Sequence, residues 1–142
     1  MIRFIYSKVT IVDSKKEKVI QQVFNKAKQF LKLPNAIEVE FSNLQDSVYA
    51  ETLVNSRFKN RIRLNYNISH IEIIKPALHE LIHLEQIYTG KLSSSGNGVY
   101  LWEGQHYYHK DLENLSYVDY SNLPWEADVN ERLDKLLISI VK

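Results

Sequence analysis

The chain opens on alternation. Ile2, Phe4 and Tyr6 are set against Arg3 and Ile5, and Val9-Thr10-Ile11-Val12 is β-branched, so both stretches predict strand or extended entry. The period then lengthens. Val19, Ile20, Val23, Phe24, Ala27, Phe30 and Leu31 recur at the spacing of one helix face. Asp13 or Ser14 supplies a cap, and Glu17, three residues after Ser14, completes a capping-box pattern. Lys15, Lys16, Lys18, Lys26 and Lys28 fall mostly on the opposite face, which is expected to be solvated. Pro34-Asn35 ends the helix. Ile37, Val39 and Phe41 alternate with Glu38, Glu40 and Ser42, the pattern of a half-buried strand. Ser47 to Val54 is a weaker strand. Ile62, Leu64, Tyr66 and Ile68 alternate with Arg61, Arg63, Asn65 and Asn67, the cleanest strand in the chain. The first half therefore reads β, α, β, β, β.

In the second half, Ser69 with Glu72 is another capping box, opening a helix to about Thr89, with Gly90 as its stop. Pro76 falls inside this span. Either the helix kinks there, or a short first turn ends and the main helix restarts with Pro76 at its first position. Gly96-Asn97-Gly98 is turn material. Val99 to Trp102 and Gln105 to Tyr108 flank Glu103-Gly104, which predicts a β-hairpin. Asp111 to Asn122 is expected to be a loop. Pro124 opens a last helix with Trp125, Val129, Leu133, Leu136, Leu137 and Ile140 as its buried stripe. The fold class is α+β: an N-terminal helix on a small, mostly antiparallel sheet, a central helix, a β-hairpin and a C-terminal helix.

At 142 residues the chain is expected to be one domain, residues 1–142. Eighteen Lys and Arg against 17 Asp and Glu give a net charge of +1. That is no global field for nucleic acid or an anionic membrane, and neither partner is expected. The absence of cysteine excludes disulfides, thiolate zinc sites and cysteine nucleophiles. No apolar run approaches the ~20 residues of a membrane span, and the N-terminus lacks the apolar core of a secretory signal, so a cytoplasmic location is expected.

The central helix carries His79-Glu80-Leu81-Ile82-His83, an H-E-x-x-H. Histidines at i and i+4 lie one turn apart on one face, where two neutral imidazoles can point at one metal ion. The glutamate at i+1 turns toward the open side of that ion and can relay a proton from a bound water to a leaving amine. One Zn²⁺ per chain with two His needs a third protein ligand and a water. A histidine six residues after His83 would supply it in one arrangement, but Thr89 stands there. A carboxylate from a later helix or a later His remains. Glu126, in the first turn of the last helix and followed by small Ala127, is the leading candidate. Asp128, Glu131, His106 and His109 are the alternatives. In a hairpin His106 and His109 face opposite sides, so they are not expected to bind one metal together. Asp128 can instead orient a ligand histidine through its other ring nitrogen.

With His79, Glu80, His83 and a downstream Glu126, the sequence resembles the gluzincin branch of zinc metallopeptidases. Glu126-Ala127-Asp128 followed by Leu133, Leu136 and Leu137 is similar to the Glu-Ala-Asp helix of small repressor-cleaving metallopeptidases. A closer likeness is to short phage-encoded zincin-like proteins. The matching features are Gln86, Gly90-Lys91-Leu92, the Trp102, Gly104 and Tyr107 hairpin, and Leu123-Pro124-Trp125-Glu126. The resemblance covers about Leu78 to Leu137. It implies a minimal zincin-like domain, with His79, His83 and Glu126 holding zinc and Glu80 as general base and then acid. Acting on a peptide or protein substrate, such a site hydrolyses an amide bond. A donor for the oxyanion is expected among Tyr107, Tyr108, Tyr117, Tyr120 and His106. The Ser47 to Val54 strand is a candidate edge for aligning an extended peptide. The alternative is a zinc-containing binding or virion-associated module without proteolytic activity. Intact Glu80 favours the enzyme, because a binding module has no need of that carboxylate.

Overall fold

In the computed structural model the described residues are 1–7, 11–45, 47–53, 60–95 and 98–141. They form seven strands and five helices. The elements are β1 (Ile2–Ser7), α1 (Ser14–Ala27), β2 (Ile37–Ser42), β3 (Ala50–Thr52), β4 (Arg61–Asn65) and α2 (Ile74–Tyr88). There follow β5 (Leu92–Ser94), β6 (Val99–Trp102), β7 (Gln105–Tyr108), α3 (His109–Leu112), α4 (Tyr117–Ser121) and α5 (Pro124–Val141). Three parts of the sequence reading lie outside the described residues: Val9 and Thr10 of the first β-branched stretch, Val54 at the end of the weaker strand, and Asn97 with its neighbour Gly96 in the turn.

The α+β class holds. Antiparallel pairings are three of the five among the described strands, but they are unevenly placed. The larger sheet has the order β1-β2-β4-β3 and is mixed, since β1 and β4 both run parallel to β2 and only β3 is antiparallel. The smaller sheet, β5-β6-β7, is antiparallel throughout. Parallel pairing follows from the crossover through α1, which returns the chain to the same end of the sheet before β2 starts. Ile37, Val39 and Phe41 of β2, with Ile62 and Leu64 of β4, fill one sheet face and share a core with Ile20, Phe24 and Ala27 of α1. Leu78, Leu81 and Ile82 of α2 and Val129, Leu133 and Leu136 of α5 close that core. The other sheet face is a ladder of charges. Arg61 pairs with Glu40 at 3.0 Å, and Arg63 joins Glu40 at 3.2 Å to Glu51 at 2.8 Å, tying both β2 and β3 to β4.

Helix ends follow their local chemistry. Asp13 caps α1 by accepting from the Lys16 N–H at 3.1 Å. Lys16 itself departs from the solvated stripe: it is buried, its ammonium donates to the Tyr66 carbonyl, and it sits over the Tyr66 ring. Ser69 accepts from the Glu72 N–H at 3.1 Å and opens a single turn, and α2 proper begins at Ile74 with Pro76 in its first turn. There Pro76 needs no N–H partner, so the helix runs on without a break. Gly90 ends α2 at φ +83°. The hairpin turn has Glu103 at φ 50° and Gly104 at φ 87°, the two positive values of a type I′ turn. The segment expected to be a loop, Asp111 to Asn122, takes in the second half of α3 and all of α4, and Ser116 caps α4 by accepting from the Asp119 N–H at 3.1 Å. Among the described residues, no helix is long and apolar enough to cross a membrane.

Candidate metal centre

His79 and His83 project from one face of α2, their rings 4.9 Å apart and meeting edge to face. Glu126 stands in the first turn of α5, one residue after buried Trp125, which pins the start of that helix. The packing of α2 against α5 brings together His79 and Glu126, which are 47 positions apart in the chain. His79 Nε2 lies 3.2 Å from Glu126 Oε1, and His83 Nε2 lies 2.9 Å from Glu126 Oε2. One donor atom from each of the three falls within 4.8 Å of the others, so the group can hold a metal ion. Around a tetrahedral zinc with ligand bonds of 2.0–2.2 Å, neighbouring ligand atoms are about 3.3 Å apart. The three donors are grouped on that scale, one atom from each within 4.8 Å of the others, and two imidazoles with one carboxylate are a donor set zinc takes. The residues present therefore fit a zinc ion.

The charges at the site are coupled. Burial pushes the Glu126 carboxyl up, but hydrogen bonds from His79 and His83 overcome it and hold its pKa at about 2. Burial pulls the His83 pKa down, and the hydrogen bond and charge of Glu126, with the charge of Glu80, turn the net direction upward. Glu80 is 7% exposed, and burial raises its pKa against the opposing pull of His83, Thr52 and His79. One Glu80 oxygen, Oε1, accepts from the Thr52 hydroxyl at 2.7 Å, and the other, Oε2, lies 3.9 Å from His79 Nε2. Thr52 comes from β3, the terminal strand of the larger sheet.

A cavity of about 300 Å³ opens over these groups. The three donors and Glu80 form one wall. Leu92, Tyr100, Leu112, Leu123 and Trp125 supply its apolar lining, and Ala50, Glu51 and Thr52 of β3 also line it. A wider groove lined by Tyr49, Glu72, Lys75 and Tyr117 continues from the far side of His79 and Glu80.

Of the five candidate oxyanion donors, Tyr120 alone lines the cavity with the three donors. Although half-exposed, Tyr120 has its hydroxyl beside Glu126, and burial, with the charges of Glu126 and Glu80, pushes it up to about 12. Tyr117 is 84% exposed and borders the adjoining groove. Tyr107, Tyr108 and His106 are not brought to the cavity. They belong to β7, the strand of the smaller sheet furthest from β5, where Tyr107 packs edge-on against Trp125 and its hydroxyl donates to Gln105. His106 and Tyr108 are exposed. His109 stacks on Tyr100 at 4.1 Å, and neither it nor Glu131 joins the His79, His83 and Glu126 group.

Asp128 does not touch a ligand ring directly. It accepts from Gln86 Nε2 at 2.8 Å, and Gln86 Oε1 faces His83 Nδ1 at 2.8 Å. The sequence pattern singled out neither this contact nor the Thr52 anchor. A buried amide at i+3 from His83 on an apolar helix was a visible signal for the first. The second depends on strand pairing that no local pattern reveals. Comparison with protein-family models, with curated proteins and with solved structures finds no significant match to the chain.

Proposed function

We propose that the protein is a zinc-dependent peptidase that hydrolyses an amide bond in a peptide or protein. The observation that carries this reading is the convergence of His79 Nε2, His83 Nε2 and the Glu126 carboxylate beside the buried Glu80, all on one cavity wall. Zinc bound there would polarise the scissile carbonyl and acidify a water. Glu80 takes a proton from the attacking water and returns it to the departing amine. Its buried setting strengthens it as a base, and Thr52 fixes one carboxylate oxygen so that the other faces the reacting centre. Tyr120 supplies a hydroxyl donor toward the developing oxyanion. An extended peptide lies along β3, adding to the sheet edge, with an apolar side chain in the chamber walled by Leu92, Tyr100 and Trp125.

The test combines metal content with hydrolysis of a peptide library. The wild type is expected to carry one zinc per chain, and Glu126→Ala is expected to lose most of it. Glu80→Gln is expected to keep its zinc while cleavage falls at least a hundredfold, in line with general acid–base contributions of about 10²–10⁴. Full zinc in Glu126→Ala would remove that ligand from the scheme. Cleavage unchanged by Glu80→Gln would remove the catalytic role.

A further inference from the structure

Gln86 is fully buried on α2, one turn beyond His83. Its three polar contacts fix its orientation. Gln86 Nε2 lies 2.9 Å from the Trp125 carbonyl oxygen and 2.8 Å from Asp128 Oδ2. A carbonyl and a carboxylate only accept, so the amide NH₂ must face them and the amide oxygen must face His83. That oxygen is 2.8 Å from His83 Nδ1. Two lone pairs cannot share that distance, so Nδ1 must carry a proton. Nε2 faces the Glu126 carboxylate at 2.9 Å and donates to it in the metal-free arrangement, so Nε2 is the nitrogen that a metal ion takes by displacing that proton while Nδ1 keeps its own. The acceptor end is held in turn. Arg132 Nη1 donates to the same Asp128 oxygen at 3.0 Å, its Nη2 pairs with Glu85, and the other Glu85 oxygen accepts from the Lys32 N–H at 2.7 Å.

The same side chain ties two helices together. Glu85 and Gln86 belong to α2 with both histidines, whereas Trp125, Asp128 and Arg132 belong to α5 with Glu126. The Trp125 carbonyl that Gln86 holds immediately precedes Glu126 in the chain. Resting on the metal reading above, we propose that Gln86 is the positioning residue of this centre. It locks His83 in the Nδ1–H tautomer, so that Nε2 is the ligand atom, and it clamps the first turn of α5 so that Glu126 meets the histidine pair. His83 makes this contact through the nitrogen pointing away from the cavity, so Gln86 acts on metal affinity without touching substrate.

Two measurements test it. The first is the histidine ring ¹⁵N spectrum of metal-free Glu126→Ala, in which no carboxylate competes for Nε2, at a pH where His83 is neutral. With Gln86 in place it is expected to show the Nδ1–H form, and with Gln86→Leu added, the Nε2–H form. The second is zinc affinity by competition with a chromophoric chelator. Gln86→Leu is expected to bind zinc 10–100-fold more weakly, the usual effect of removing a group that orients a metal-bound histidine. A neutral His83 carrying its proton on Nε2 in Glu126→Ala would overturn the proposal, as would a folded Gln86→Leu protein with unchanged zinc affinity. Should Gln86→Leu fail to fold, the Glu126→Ala spectrum decides alone. The tautomer is read without metal, so a protein that binds no zinc would sink the peptidase reading while leaving the lock testable.

Discussion

Glu80 and Tyr6 show one physical principle with opposite uses. Glu80 is buried among the histidines and anchored by Thr52, and burial makes it a stronger base. Tyr6 lies away from the cavity and serves the fold. Its hydroxyl donates to Glu17 at 2.6 Å and accepts from the Asp13 N–H at 3.0 Å, joining β1 to the start of α1. Burial, then the bond to Glu17, raises the Tyr6 pKa above its ordinary value of 10.0. The neutral phenol is thus favoured in the folded state, and its contribution is complete below pH 10. It disappears as pH rises from that value through the higher folded one. Tyr6→Phe keeps the ring contact with Phe41, 5.2 Å away, and removes only the hydroxyl. It is expected to cost about 1 kcal/mol at pH 7, the net worth of a typical hydrogen bond. The gap between the two proteins should close above pH 10. Denaturant midpoints across pH 7–11 check this, and a gap that stays constant or widens would contradict it.

The hairpin between β6 and β7 places Tyr100 at the cavity wall and packs both Tyr100 and Tyr107 against Trp125. Its turn carries one residue ill suited to it. Gly104 accepts φ 87° freely, but Glu103 at φ 50° holds a left-handed conformation that a side chain with a Cβ resists. Glu103→Asn gives the turn the Asn-Gly pair that type I′ geometry favours. It is expected to stabilise the protein by about 0.5–1 kcal/mol, the scale on which conformationally matched turn substitutions act. A thermal midpoint unchanged or lowered by Glu103→Asn would show that Glu103 is held there by other interactions. This hairpin was legible in the sequence because both strands and both turn residues are local. So were α1, α2 and α5, each announced by an apolar face and a local start signal: Asp13 for α1, the Ser69 turn ahead of α2, and Pro124 for α5. The helices α3 and α4 were not legible. Each is a turn or so long, neither buries a residue, and the segment holds no periodic apolar face. The parallel pairing of β1 with β2 was equally hidden, since alternation reports which face is buried and not which strand lies alongside.

The candidate centre lies where separate parts of the molecule meet: α2 gives the histidines and Glu80, α5 gives Glu126, β3 gives Thr52, and α4 gives Tyr120. The H-E-x-x-H was visible because a helix puts both histidines on one face by local geometry. Glu126 was found by its place at a helix start, and its 47-residue distance from His79 is closed only by tertiary packing. None of these parts depends on a metal for its core. The cluster of Phe41, Ile62, Leu78, Ile82 and Val129 is complete without the cavity residues. The metal-free protein is therefore expected to stay folded, with α2 and α5 packed as they are. Zinc binding to the folded state alone adds stability by mass action, about 2.7 kcal/mol at one hundred times its dissociation constant. For a chain of this size each 1 kcal/mol moves the thermal midpoint by about 2–4 °C. Removing metal with a chelator is thus expected to lower the midpoint by roughly 5–10 °C, with the far-ultraviolet circular dichroism at 20 °C unchanged. Glu126→Ala, which leaves the core intact, should abolish most of the chelator's effect. If the chelator unfolds the protein outright, the metal is a structural staple and the core described here is insufficient. If the midpoint does not move after the protein has been loaded with zinc, the three donors do not hold it in the folded state.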